Sequence, residues 1–129
     1  VAPCPPLSET LERSRGLGVT PGVVLTPATP VSAIEPYLGQ AGLVLVMSVH
    51  PGYSGQAFMP ETVGKVEQVR KKLDELGSSA WLEVDGGIAP DTLPVMEAAG
   101  ADVFVAGNAI FKHPDGIAAG IQGLRAAGR

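Results

Sequence analysis

Cysteine is almost missing from this chain: Cys4 is the only one in 129 residues. No internal disulfide can form, which excludes a stapled secreted scaffold and points to a reducing, cytoplasmic setting. Its place in Val-Ala-Pro-Cys-Pro-Pro, with no histidine nearby in sequence, argues against a nucleophile. Histidine is nearly as scarce. His50 and His113 each precede a proline and show no ligand spacing, so neither is assigned a metal role. No apolar run reaches the 18 residues of a membrane span, and no charged leader precedes a hydrophobic core, so no membrane role is expected. A net charge of −4 and a pI near 5.0 argue against a nucleic-acid partner. Arg70-Lys71-Lys72, the one basic cluster, falls in a helical pattern and reads as a solvated face. P-loop, dinucleotide fingerprint and CxxC pair are all absent.

Glycine and proline, by contrast, are plentiful at 17 and 12, and 45% of residues are apolar. That balance describes one compact domain over residues 1–129 with many tight connections. The start at Val1 rather than methionine points to sequence upstream. Ser8 to Leu17 reads as a short helix with Ser8 as N-cap and Gly16 and Gly18 near its end. Gly22 to Leu25 is β-branched and apolar, a strand ended by Thr26-Pro27. Thr29-Pro30 opens a short helix carrying Val31, Ile34 and Leu38 on one face. Leu43 to Val49 is the most continuous apolar run and reads as a central parallel strand. The polar, glycine-punctuated loop His50 to Gln56 follows.

Pro60-Glu61 opens the longest helix, in which Val63, Val66, Val69, Leu73 and Leu76 recur at helical spacing before Gly77. Trp81 to Val84 is a strand leading into Asp85. A helix from Pro90 carries Leu93, Val95, Met96 and Ala99, with Gly100 as its C-cap. Asp102 to Ala106 is a fourth strand, Ala109 to Phe111 a short extra turn, and Gly116 to Ala126 a last helix. A first helix followed by four strand–helix repeats implies an α/β fold with a parallel sheet, either doubly wound or closed as a barrel.

In both architectures ligands bind at the C-terminal ends of the strands. Two of those ends have matching form, Asp85-Gly86-Gly87-Ile88 and Gly107-Asn108-Ala109-Ile110. Glycine loops at adjacent strand ends turn backbone N–H groups toward one point, an arrangement suited to phosphate, although economical turns share the composition. Asp85 is a poor direct partner for phosphate. Its chemistry fits proton transfer or metal ligation at the other end of a substrate, with a plain loop cap as the alternative. Met47 lies near a strand end, facing either a pocket or the core.

Three stretches carry a resemblance: residues 46–58 (Val-Met-Ser-Val-His-Pro-Gly-Tyr-Ser-Gly-Gln-Ala-Phe), 83–88 (Glu-Val-Asp-Gly-Gly-Ile) and 100–111 (Gly-Ala-Asp-Val-Phe-Val-Ala-Gly-Asn-Ala-Ile-Phe), with Leu25 to Pro30 in support. They resemble the ribulose-phosphate 3-epimerase family. The resemblance implies a (β/α)8 TIM barrel of ribulose-phosphate-binding type, of which this chain covers the last four βα units, a half-barrel. It implies interconversion of D-ribulose 5-phosphate and D-xylulose 5-phosphate by proton transfer at C3 through an enediolate. Asp85 would be one of two catalytic aspartates and a ligand of a divalent metal ion (zinc, iron, manganese or cobalt). Gly52, Tyr53, Ser54 and Gly55 would form a lid over the substrate, Gly86, Gly87, Gly107 and Asn108 would hold its phosphate, and Met47 would line the pocket beside the metal.

The family's other aspartate, its two histidine ligands and its N-terminal serine belong to the first four units, which this sequence does not contain. The lid reads Gly-Tyr-Ser-Gly where the family usually has Gly-Phe-Gly-Gly, and Asn108 stands where serine is common. The alternatives are a related epimerase of a ketohexose 6-phosphate and a non-catalytic half-barrel that binds a phosphate compound or a partner chain. A barrel cut in two exposes sheet edges and apolar strand faces, so a second copy or a complementary half-barrel is expected as partner.

Overall fold

The computed structural model describes residues 6–53 and 55–128, so Cys4 lies outside the described residues. The chain opens with α1 (Leu7–Gly16) and β1 (Gly22–Leu25), then makes two 3₁₀ turns, Val31–Ala33 and Glu35–Gln40. After them come β2 (Leu43–Met47), a further 3₁₀ turn at Pro60–Thr62, α2 (Val63–Glu75), β3 (Trp81–Asp85) and α3 (Leu93–Ala98). β4 (Val103–Val105), the single-turn α4 (Asn108–Phe111) and α5 (Ile117–Ala127) complete the chain. No described helix is long and apolar enough to cross a membrane.

The four strands form one sheet in the order β1-β2-β3-β4, every pair parallel. Strand order follows the chain, without the reversal that marks a doubly wound sheet. Because crossovers are right-handed, connections that all advance the same way pass over the same face. Burial agrees. Val23, Leu25, Val44, Val46, Leu82 and Val84 are almost fully buried and share one core with Val66, Val69 and Leu73 of α2 and Met96 of α3. The intervening residues form the other face in three rows set by the register. Gly22, Leu43 and Trp81 make the first, Val24, Leu45, Glu83 and Val103 the second, and Met47, Asp85 and Val105 the third. That face is uncovered: Trp81 is 59% exposed, Val24 55% and Val105 39%.

Several boundaries differ from those read in the sequence, each for a local reason. α1 begins at Leu7, not after a Ser8 cap, because extended Pro6 (φ −53°, ψ 144°) is the boundary residue and its carbonyl accepts the first helical bond from Thr10 N–H at 3.1 Å. The segment after β1 buries Val31, Ile34 and Leu38 as expected, but as 3₁₀ turns, since Pro36 brings no N–H to an α-helical ladder. Thr29 does not cap it; its hydroxyl pairs with that of Thr26. β2 stops at Met47 rather than Val49, and β4 spans only Val103–Val105. Pro90 lies in a turn before α3, which starts three residues later at Leu93. Leu76 and Val95 are exposed and leave the apolar faces assigned to them. Gly77 (φ +60°) and Gly100 (φ +104°) do occupy the left-handed positions that end α2 and α3.

α2 also fixes the loop after β1. Lys65 Nζ donates to the carbonyl oxygens of Thr26 (3.1 Å), Pro27 and Thr29, so one ammonium with three protons satisfies three carbonyls. On the same helix Lys72 meets Glu35 at 2.7 Å, a hydrogen bond and charge that raise the lysine pKa. Replacing Lys65 by methionine keeps the stem and removes the donors. Urea unfolding should show Lys65→Met losing about 1–3 kcal/mol, and a variant as stable as the parent would contradict the role given to this lysine.

Candidate functional site

The third row of the uncovered face brings three strand ends together. Met47 pairs with Asp85, and Asp85 with Val105, so the carboxylate stands between a thioether and an isopropyl group. Beyond them the backbone turns away from the sheet, and the loops after β2, β3 and β4 enclose an open pocket of about 590 Å³.

The turn after β3 is set by contacts with the loop after β2. Ser48, fully buried, donates its hydroxyl to the Gly86 carbonyl at 2.6 Å, while its N–H donates to the Asp85 carbonyl at 2.8 Å. Ser48 in turn accepts at its own carbonyl from Met59 N–H at 3.0 Å, which closes the base of the loop between them. Gly86 and Gly87 have φ of +129° and +63°. A Cβ on Gly86 would stand 2.7 Å from Val49 Cγ2, and one on Gly87 would stand 2.7 Å from Phe58 Cα. Both glycines are therefore demanded by the chain's own packing, whatever binds beside them. The exit from the turn is held by Thr92, whose hydroxyl accepts from Ala89 N–H at 2.9 Å and donates to the Gly87 carbonyl at 2.8 Å.

The loop from His50 onward is tied internally. Gln56 Nε2 donates to the carbonyls of His50 (2.6 Å) and Tyr53 (2.9 Å), and Gly52 and Gly55 take φ of +150° and +88°. Its end approaches the third loop closely, since a Cβ on Gly55 would lie 2.7 Å from Asn108 Nδ2. The third loop is Gly107 leading into α4, where the N–H groups of Asn108 and Ala109 have no intrahelical acceptor. α5 supports this turn from behind: a Cβ on Gly120 would meet the Ala109 carbonyl oxygen at 2.6 Å.

Met47, Gly52, Tyr53, Gly55, Asp85, Gly86, Gly87, Gly107 and Asn108 thus all line one pocket. Ser54 lies outside the described residues. Sequence reasoning passed over Ser48 and Gln56, and gave no part to His50 or Phe111, which also stand on the pocket wall. Ser48 carried a signal, as the one hydroxyl closing an apolar run; Gln56 carried none. The donors do not by themselves make a metal centre. Asp85 is the only carboxylate and His50 the only imidazole on the described wall, and no group of three or more His, Cys, Asp or Glu among the described residues could hold a metal ion.

The family model of the "Ribulose-phosphate 3 epimerase family" matches residues 3–111. The chain belongs to the ribulose-phosphate 3-epimerase family. It is 44% identical over 109 residues to "Ribulose-phosphate 3-epimerase" of Escherichia coli (strain K12), covering 84% of this chain and 48% of that protein. To "Ribulose-phosphate 3-epimerase" of Synechocystis sp. it is 45% identical over 122 residues, covering 94% and 52%. "Ribulose-5-phosphate-3-epimerase, chloroplastic" of Arabidopsis thaliana is 44% identical over 123 residues, covering 95% and 43%. The chain spans about half the length of the curated relatives it matches.

Two substitutions separate the clamp from the loop it bounds. Ser48→Ala leaves the Gly86 carbonyl without its hydroxyl partner in a buried place and should cost about 1–3 kcal/mol of unfolding free energy. Gln56→Leu, at the exposed loop, should leave global stability within about 0.5 kcal/mol while speeding hydrogen exchange of residues 50–56. Equal effects of the two changes would contradict this division.

Proposed function

We propose that residues 1–129 form the C-terminal half of a ribulose-phosphate 3-epimerase barrel, contributing the last four βα units and one side of the active site. The observation that carries this reading is the row Met47–Asp85–Val105, which sets a single carboxylate at the floor of a pocket walled by two glycine loops. Gly86, Gly87, Gly107 and Asn108 supply backbone and amide donors to the phosphate of a phosphorylated ketose, and Met47 lines the floor. The loop Gly52 to Gly55, with Tyr53 and Ser54, covers the substrate. A cytoplasmic setting suits a chain with a single cysteine.

The chemistry follows from the ketose. Its C3–H lies next to the C2 carbonyl, so removal of the proton leaves an electron pair that moves into a C2–C3 double bond while the carbonyl becomes an enediolate oxygen. Asp85 takes that proton on its own face. Inversion requires return of a proton to the opposite face, from a second acid that must come from outside this chain. A divalent metal, which would supply positive charge to polarise the ketose carbonyl, would be held here by Asp85 alone and would need its other ligands from outside this chain. The isolated half is accordingly a phosphate-binding unit, and epimerisation belongs to the completed site.

The test combines this chain with the first half of the E. coli relative and follows pentulose-phosphate epimerisation by a coupled assay with added divalent metal. The pair should be active and Asp85→Asn should lower turnover by about 10²–10⁴-fold. An active pair in which Asp85→Asn keeps its rate within tenfold would remove Asp85 from the reaction.

A further inference from the structure

Gly107, Asn108 and Phe111 make one wall of the pocket, and α5 packs against the back of the turn that carries them. Resting on the phosphate role given above to Gly107 and Asn108, we propose that Gly120 of α5 is a positioning residue for that phosphate. It touches no ligand. The side chain it lacks lets α5 seat the turn where its donors reach the anion.

Gly120 is buried and has ordinary helical backbone, so the close approach of its neighbours is what calls for glycine there. A Cβ at 120 would stand 2.6 Å from the Ala109 carbonyl oxygen, 2.9 Å from Ile110 Cα and 3.1 Å from the Ile110 carbonyl oxygen. All three are backbone atoms, so no side-chain rotation relieves the contact. Ordinary contacts begin near 3.5 Å, and relief takes a displacement of about 1 Å by one helix or the other.

α4 is the element that yields. Leu124, one turn beyond Gly120 on the same face of α5, is buried in the core with Leu93 and Met96, whereas no residue of α4 is buried. α4 also moves as a unit. The N–H groups of Ile110 and Phe111 both donate to the Gly107 carbonyl, at 3.0 and 2.9 Å, and Lys112 N–H donates to the Asn108 carbonyl at 3.0 Å. A push on Ala109 and Ile110 therefore carries Gly107 and Asn108 with it. Binding donors have to stand within about 0.5 Å of their place, so a shift of this size costs affinity. The residue responsible lies past residue 111, where the family match ends.

α5 supplies its own control. A Cβ on Gly123 would meet only Pro90 Cγ, at 3.9 Å, an ordinary contact. Gly120→Ala and Gly123→Ala improve the helix propensity of α5 alike, and only the first presses on α4. The experiment records amide NMR spectra of the 129-residue chain and both variants, without and with inorganic phosphate. Before phosphate is added, Gly120→Ala should move the Gly107 and Asn108 signals and leave Val44 and Val84 of the sheet in place. Its phosphate dissociation constant should rise about 10- to 100-fold, while that of Gly123→Ala should stay within about threefold of the parent. A Gly120→Ala chain that binds within threefold, that leaves the Gly107 and Asn108 signals unmoved, or that loses the Val44 and Val84 signals as well overturns the proposal, as does equal weakening by Gly123→Ala. A parent whose Gly107 and Asn108 amides ignore phosphate overturns the phosphate reading on which the proposal rests.

Discussion

A parallel sheet whose strands pair in chain order covers only one of its faces with its own connections, and this constraint shapes the whole molecule. Right-handed crossovers that always advance the same way carry α2 and α3 over the face that holds Val44, Val46, Leu82 and Val84. Among the described residues no helix covers the opposite face, and Val24, Trp81 and Val105 on it stay exposed. In a closed barrel such a face becomes the packed interior, filled in layers by alternate strands. Here the inward-type positions stand as three rows on the uncovered face.

The same register makes the site. Placing Met47, Asp85 and Val105 in one row requires β2, β3 and β4 to end together, and Ser48 enforces that ending by binding the backbone of both Asp85 and Gly86. The glycine turn can then pass against Val49 and Phe58 at distances that exclude any side chain. Packing thus calls for glycine at two positions that also line the pocket. Gly86 and Gly87 allow the turn to form, and the turn is what presents backbone to the pocket.

The alternation of strand and helix, the parallel sheet, and the gathering of Asp85 with Gly86, Gly87, Gly107 and Asn108 were legible in the sequence, because they rest on short local signals: apolar runs, glycine pairs, one acid at a strand end. The choice between a doubly wound and a singly advancing sheet was not legible from periodicity, since both give the same pattern along each strand. Helix starts were misread where proline decided them. Pro6 moved the first boundary ahead of Ser8, and Pro36 broke what apolar spacing described as a helix into two tight turns. Ser48, Gln56 and Thr92 act across the chain through hydrogen bonds whose partners are set by the fold, and spacing alone does not reveal such partners.

The central claim is that the loops after β3 and β4 form one anion site beside Asp85. The most direct measurement is a titration of the ¹⁵N-labelled 129-residue chain with inorganic phosphate, followed by two-dimensional amide NMR. Saturable shifts are expected at Gly86, Gly87, Gly107 and Asn108 together, fitted by one dissociation constant. Shifts confined to the basic face of α2 at Lys71 and Lys72, with those four amides unmoved, would contradict it.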